Sequence, residues 1–288
     1  MVQIRGIRRE PVLSAAVELN KGKADMAKQP QQAISELMGK LGDAVTETER
    51  PLKQALALAC RILAANGHGS ALSGQMTARG PTPGTMWTLS YGLGFEEAST
   101  ESYLLVDSDL EVLEGEGHPN PANRFHLHVY ESRPDVNAIV HTHSKYCSAL
   151  SMLGEPIHIA HMDTAGLYDD VAHLPHWPGI PFGDEEGEII SGALGSKSAI
   201  LLAHHGQLCV GPSVEAACVL GVTIERAAEM HLNARVAGQL QAIDPKLGRE
   251  AHDWRHNPKM VSMTFEYFAR QVKDSRALLS ERDGDTGM

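Results

Sequence analysis

Apolar positions first recur at helical spacing over Leu52–Ala65 (LKQALALACRILAA). Pro51 stands at the start, where a missing N–H does no harm, and Gly67 and Gly69 end the run. Upstream, residues 1–48 are polar and rich in Lys and Gln, with a weak helical pattern around Ala33–Leu41; they read as an arm outside the core. Downstream the period shortens. Met86–Ser90, Tyr103–Val106 and Leu110–Leu113 read as strands separated by Gly/Asp/Glu turns. Arg124–Glu131 reads as a helix, Ala138–Val140 as a buried strand, Ser144–Leu153 as a helix and Ile157–Ala160 as a short strand. Asp184 opens a helix to about Leu194, and Ala199–Ala203 pairs with Leu208–Val210 as a hairpin-like unit around Gly206. A long helix follows from Ser213, its N-cap, to about Gln239, and another lies around Val261–Leu279. Strands interleaved with single helices predict α/β layering. Three regions are expected: an arm over 1–48, a main domain over 49–242 and a helical C-terminal extension over 243–288.

The 288 residues are 42% hydrophobic and 21% charged, as in an ordinary chain with a packed core. Net charge is −11, which disfavours nucleic acid and anionic membrane surfaces as partners. A small anionic substrate stays open, because one bound cation can outweigh a diffuse negative surface. No apolar leader follows Met1 and no apolar run is long enough to span a bilayer, so a cytoplasmic setting is expected. Cys60, Cys147, Cys209 and Cys218 form no CxxC pair and sit mainly in apolar patterns, as thiols used as small hydrophobes do.

Fifteen histidines change the picture. The apolar strand Ala138-Ile139-Val140 runs into His141-Thr142-His143, and alternation along a strand puts both imidazoles on one face, within reach of one cation at about 2.0–2.2 Å. A second buried run, Ala199 to Ala203, delivers His204, His205 and Gly206. Neighbours on a strand point oppositely, so one of His204 and His205 can serve a given metal; periodicity leaves open which.

The stretch Arg133-Pro-Asp-Val-Asn-Ala-Ile-Val-His-Thr-His-Ser144, with Leu-Leu-Ala-His-His-Gly206, resembles the signature of the class II aldolase/adducin superfamily over about Leu52 to Gln241. The resemblance implies an α/β fold of three layers, α/β/α, around a mainly antiparallel sheet, and a homo-oligomer, usually a tetramer. It assigns one divalent metal ion, zinc by family with manganese or iron as alternatives, to His141, His143 and His205, and leaves His204 beside the substrate.

The aldolase pattern breaks at several positions. Ala122 stands where the sugar-phosphate aldolases carry a glutamate four residues before the helical histidine that matches His126. Asn120 and Pro121 replace two phosphate-holding serines, Gln75 replaces an asparagine after Gly74, and Met162, beside Asp163, replaces a tyrosine. A phosphorylated sugar is therefore a poor fit. Three imidazoles with open positions suit a non-phosphorylated hydroxy- or oxo-carboxylate, aromatic or not, cleaved at a carbon–carbon bond with decarboxylation ahead of aldol cleavage. The alternatives are a non-haem iron oxygenase, a sugar-phosphate aldolase or epimerase, and an adducin-like scaffold. His126, Asp163 and Tyr168 are the candidate acid/base groups, Tyr168 in a loop (AGLYDDVAHLPHWPG) polar enough to be a site wall and Asp163 at its entry. Gly74, Gln75, Arg79, Asn120 and His204 are candidate substrate contacts, with Arg79 a potential carboxylate clamp. His128, Lys145 and Asp169 read as solvated side chains. The C-terminal aromatics, Trp254, Phe265, Tyr267 and Phe268, suit an oligomer interface.

Overall fold

The computed structural model describes residues 50–180 and 183–280, with side chains as far as 272, together with Glu36 and Gly39. The chain divides into two compact units, Met1–Thr46 and Glu47–Met288. In the first, Glu36 and Gly39 are helical; the rest of the arm expected over 1–48 lies outside the described residues.

The second unit is built on an eight-stranded sheet. Helix α1 (Leu52–Leu63) precedes β1 (Gln75–Arg79), β2 (Met86–Leu89), β3 (Tyr103–Val106) and β4 (Val112–Glu114). Then come α2 (Arg124–Ser132), β5 (Ala138–Thr142), α3 (Lys145–Ser151), β6 (Val171–Leu174) and α4 (Asp184–Leu194). The hairpin β7 (Ala199–Leu202) and β8 (Gly206–Gly211) leads into α5 (Val214–Ala237), α6 (Pro245–Arg255) and α7 (Pro258–Ser280). Strand order is β4-β3-β2-β1-β5-β8-β7-β6, antiparallel throughout except for the β6/β7 pair.

Period-two alternation makes the layers. Ile139, Ile200, Leu202, Leu208 and Val210 face Phe125 and Val129 of α2 and Ile190 of α4. Ala138 and Val140 face the opposite way, toward Leu56 of α1 and Cys218 of α5, while Leu201 and Cys209 meet Ile224 of α5. The result is the α/β/α sandwich expected. Phe265 of α7 is fully buried in this chain's own core, whereas Tyr267 is exposed. All four thiols are buried, and burial pushes them up, Cys60 to about 12.

Several expectations are corrected. Ile157–Ala160 forms no strand, although Ile157 is buried. Gln75–Arg79, where no strand is expected, forms β1. Leu110 turns with φ +65°, so β4 starts at Val112. Within the loop read as a site wall, Val171–Leu174 is a strand beside β7.

Long α5 carries an unusual core group. Glu225 is buried, and its carboxylate accepts from Ser144 Oγ (2.6 Å) and from the amides of Tyr146 (2.8 Å) and Cys147 (2.9 Å). It thus caps α3 from another helix, immediately behind the H-x-H segment. Glu225→Leu strands three donors and is expected to lower stability by about 3 kcal/mol in urea unfolding; an unchanged midpoint would show that water replaces the carboxylate.

Candidate metal centre

Strand β5 ends at Thr142, and β8 begins at Gly206, one residue past His205. Because these strands are antiparallel neighbours, with Thr142 opposite Gln207, the two histidine-bearing segments meet at one edge of the sandwich. His141 Nε2 lies 3.2 Å from His143 Nε2. The His205 ring centroid is 4.8 Å from that of His141 and 4.6 Å from that of His143, and the three planes cross at 63–83°. One ring nitrogen from each lies within 4.8 Å of the others.

Protonation follows from the partners. His141 Nδ1 donates to the Gln207 carbonyl at 2.9 Å, so its Nε2 carries the lone pair. A carbonyl behind the imidazole is the usual device for fixing a metal ligand's tautomer. Burial, then the neighbouring His205, His143 and His126, holds His141 well below the ordinary imidazole range. Burial likewise lowers His143 and, with His143 beside it, brings His205 to about 4. His143 Nε2 lies within hydrogen-bonding distance of the His141 Nε2 lone pair, and the chemistry and spacing of the three neutral rings fit a divalent metal.

His204 has φ +57°, the left-handed corner of the β7–β8 hairpin. Its backbone amide is tied to the Ser151 carbonyl (3.1 Å), and its side chain stands exposed at the rim. The three histidines floor a cleft of about 300 Å³. Its polar walls are Ser73, Gln75, Asn120 and His204, and its apolar rim is Leu72, Tyr91, Trp177 and Ile180, with Ala122 below. Among the described residues lining it there is no lysine, arginine or carboxylate.

Other sequence candidates distribute unevenly. Gln75 and Asn120 reach the cleft; Gln75 Oε1 is buried without a partner, while Asn120 Oδ1 accepts from the Ala122 amide. Gly74 packs against Phe95, whose ring leaves 3.0 Å for an added Cβ, so its role is close approach rather than substrate contact. Arg79 lies at the far end of β1 with its guanidinium on the carbonyls of Tyr130, Arg133 and Val136. Asp163 pairs with Arg226 and Arg255, and Tyr168 packs its ring over Gly248. Neither lines the cleft. Asp163 lines a larger cavity, about 580 Å³, by Val136 and Gly211, at the other end of β5 and β8. There Arg50, Arg133 and Arg255 are matched by Glu266, Asp135 and Asp163. Tyr91, Trp177 and Ile180 were not singled out as site residues; the unusual polar loop pointed toward Trp177, while nothing in the local pattern marked Tyr91.

His126 is fully buried with Nδ1 on Thr77 Oγ1 (2.8 Å), and burial lowers it to about 3. It does not line the cleft and is neutral in the fold. Its depressed value has a consequence for stability. Below about pH 6.5 the unfolded chain binds a proton that the fold refuses, so stability falls from there toward pH 3 by about 1.4 kcal/mol per pH unit. Metal-free wild type should therefore lose more stability between pH 7 and 5 than His126→Gln in urea titrations; equal losses would count against a neutral His126.

A family model for the class II aldolase and adducin N-terminal domain matches residues 54–232. The chain belongs to this family. It is similar to an L-fuculose phosphate aldolase of Escherichia coli O6:H1, 33% identical over 142 residues, which is 49% of this chain and 65% of that protein's length. It is similar to Decarboxylase NovR of Streptomyces niveus, 27% identical over 211 residues, 72% of this chain and 78% of the other. The structure of an L-fuculose 1-phosphate aldolase from Glaciozyma antarctica PI12 superposes with TM-score 0.71 at 29% identity, covering 80% of this chain and 96% of that one. The family's α/β fold and its mainly antiparallel sheet are those described above.

Proposed function

We propose that this protein is a metal-dependent carbon–carbon lyase that decarboxylates, or cleaves by a retro-aldol step, a non-phosphorylated hydroxy- or oxo-carboxylate with an apolar or aromatic body. The observation that carries this reading is the cleft lining: three convergent neutral imidazoles, an apolar rim and, among the described residues, no cationic side chain. Among the described residues the cleft presents no arginine or lysine to a phosphate dianion, and Asn120 and Pro121 stand where the aldolases have phosphate-holding serines. Exposed Trp177, Tyr91 and Ile180 favour a flat apolar substrate.

His141, His143 and His205 would hold the metal, with zinc first and manganese or iron as alternatives. When bound, the cation supplies a Lewis acid that draws off the electron pair left on the substrate as the bond to the departing group breaks. Gln75 Oε1, unpartnered and buried at the wall, accepts a hydrogen bond from a substrate hydroxyl and orients it. Trp177 and Ile180 shield the reacting carbon from water. The exposed imidazole of His204 returns a proton to the carbanionic centre, taking the place of the glutamate lost at Ala122. His204→Asn keeps a residue suited to the left-handed corner and is expected to lower kcat by about 10²–10³ with metal content unchanged. Loss of metal in that variant would move His204 into the ligand set.

A three-histidine set without a carboxylate differs from the two-histidine, one-carboxylate set common to non-haem iron oxygenases, so oxygenation ranks second. Among the described residues no helix is long and apolar enough to cross a membrane. The reading includes a homotetramer with the extension 243–288 at a subunit interface. The test is an anaerobic panel of hydroxyaryl and oxo-carboxylates with zinc- or manganese-loaded protein. Release of CO2 or of an aldehyde supports it; turnover that requires iron and oxygen, or cleavage confined to phosphorylated ketoses, contradicts it.

A further inference from the structure

A second constellation lies between the C-terminal extension and the main domain. His252 is on α6 and His256 is its C-cap, one helical turn on, so both rings project to one side. They stack with centroids 4.2 Å apart and planes at 23°. Both Nε2 atoms face the carboxylate of Asp170, a buried residue just before β6; Asp170 Oδ2 is 3.3 Å from His252 and 3.9 Å from His256. One donor atom from each of the three lies within 4.8 Å of the others. The Gly166 carbonyl, a fourth donor atom, lies 2.8 Å from His256 Nε2 and accepts its N–H in the metal-free fold.

The surrounding contacts orient the three side chains. His252 Nδ1 donates to Asp253 Oδ1 at 3.0 Å, and the hydrogen bond of Nε2 to Asp170 holds the imidazole above its ordinary range; displacing that proton leaves a lone pair on Nε2. Asp170 Oδ1 accepts from the Ser198 amide at 3.0 Å, which frees Oδ2. A lone pair and a carboxylate oxygen then face each other at 3.3 Å, and a proton or a metal ion has to lie between them. Donors bound to one ion at about 2.0–2.2 Å sit roughly 3–4 Å apart, as Asp170 Oδ2 does from each Nε2. Neighbouring cations have their own partners: Lys197 and Arg249 meet Asp169, and Arg255 meets Asp163.

We propose that Asp170, His252 and His256 form a second divalent transition-metal site, with Gly166 O as a further donor, which staples α6 to the main domain. Closing on an ion displaces the Nε2 proton of His252 to solvent, shifts that of His256 to Nδ1, and tilts the two rings from their stack until both Nε2 lone pairs converge. Two imidazoles and a carboxylate suit zinc, manganese or iron(II) rather than calcium or magnesium. The site is separate from the three-histidine cleft and does not depend on the function proposed for it.

Zinc itself is the probe. Full-length protein stripped with chelator is dialysed against zinc and its metal content measured. Wild type is expected to hold two zinc ions per chain, His143→Ala one, His252→Gln one and the double variant none. His256→Gln, at a half-buried position, repeats the test should His252→Gln unfold. In His143→Ala, saturating zinc should raise Tm by several degrees, since an ion bound only to the fold stabilises it, and His256→Gln in that background should abolish the rise. Wild type holding a single zinc that His143→Ala removes would overturn the proposal and leave a protonated His252–Asp170 ion pair as the contact. Two ions retained in both His252→Gln and His256→Gln would also overturn it. One ion in wild type and in His143→Ala, lost in His252→Gln, would support this site while refuting the cleft.

Discussion

His143→Ala empties the three-histidine site of metal and lowers turnover by at least about a thousand-fold, the equivalent of several kcal/mol of lost charge stabilisation. The fold survives, because His143 lies just past β5 and is half-buried, while the strand's own core residues, Ala138, Ile139 and Val140, are untouched. In chelator, where neither protein carries metal, its melting temperature should stay within a few degrees of wild type. Metal content and turnover should fall together. Wild-type turnover in this variant would remove the metal from the mechanism.

The second large effect comes from a single methyl group. A Cβ on Gly206 would stand 2.5 Å from the Thr142 carbonyl oxygen, 3.1 Å from His143 Cδ2 and 3.3 Å from His143 Cα. The first and third are backbone atoms of the neighbouring segment and cannot rotate away. Gly206→Ala therefore parts the ends of β5 and β8, where His141 and His143 meet His205. Zinc affinity should fall about 10–100-fold, as when a support behind a ligand is lost, and stability by about 1–3 kcal/mol, as for overpacking. Competition against a chromophoric chelator and urea unfolding read the two effects separately. Unchanged affinity would mean that the hairpin yields without moving the rings.

Close approach thus explains the glycine of the His-His-Gly motif, a reason that sequence alone did not contain. The meeting of His141, His143 and His205 was legible because buried strands such as Ala138–Val140 and Ala199–Ala203 announce themselves, and histidines at their ends break an apolar pattern for no packing reason. Helix α5 was legible from Ser213, whose hydroxyl accepts from the Ala216 amide. The rest failed where long-range geometry decides. Arg79 looked free to clamp a carboxylate, yet the turn after α2 brings three carbonyls to it. Asp163 sits beside the tyrosine position of the aldolase pattern, but Arg226 of α5 and Arg255 of α6 draw it to the other end of the strands. Strand β6 hid in a polar loop because it lies at the sheet edge, where Val171, Ala172 and His173 are only partly buried. The rim residues Tyr91 and Trp177 come from loops whose positions depend on the folded whole.

The most direct measurement is an anomalous-difference map at the zinc edge from crystals of the loaded wild-type protein. A peak is expected about 2.0–2.2 Å from one ring nitrogen each of His141, His143 and His205. Fully loaded crystals with no peak among those three rings would contradict it.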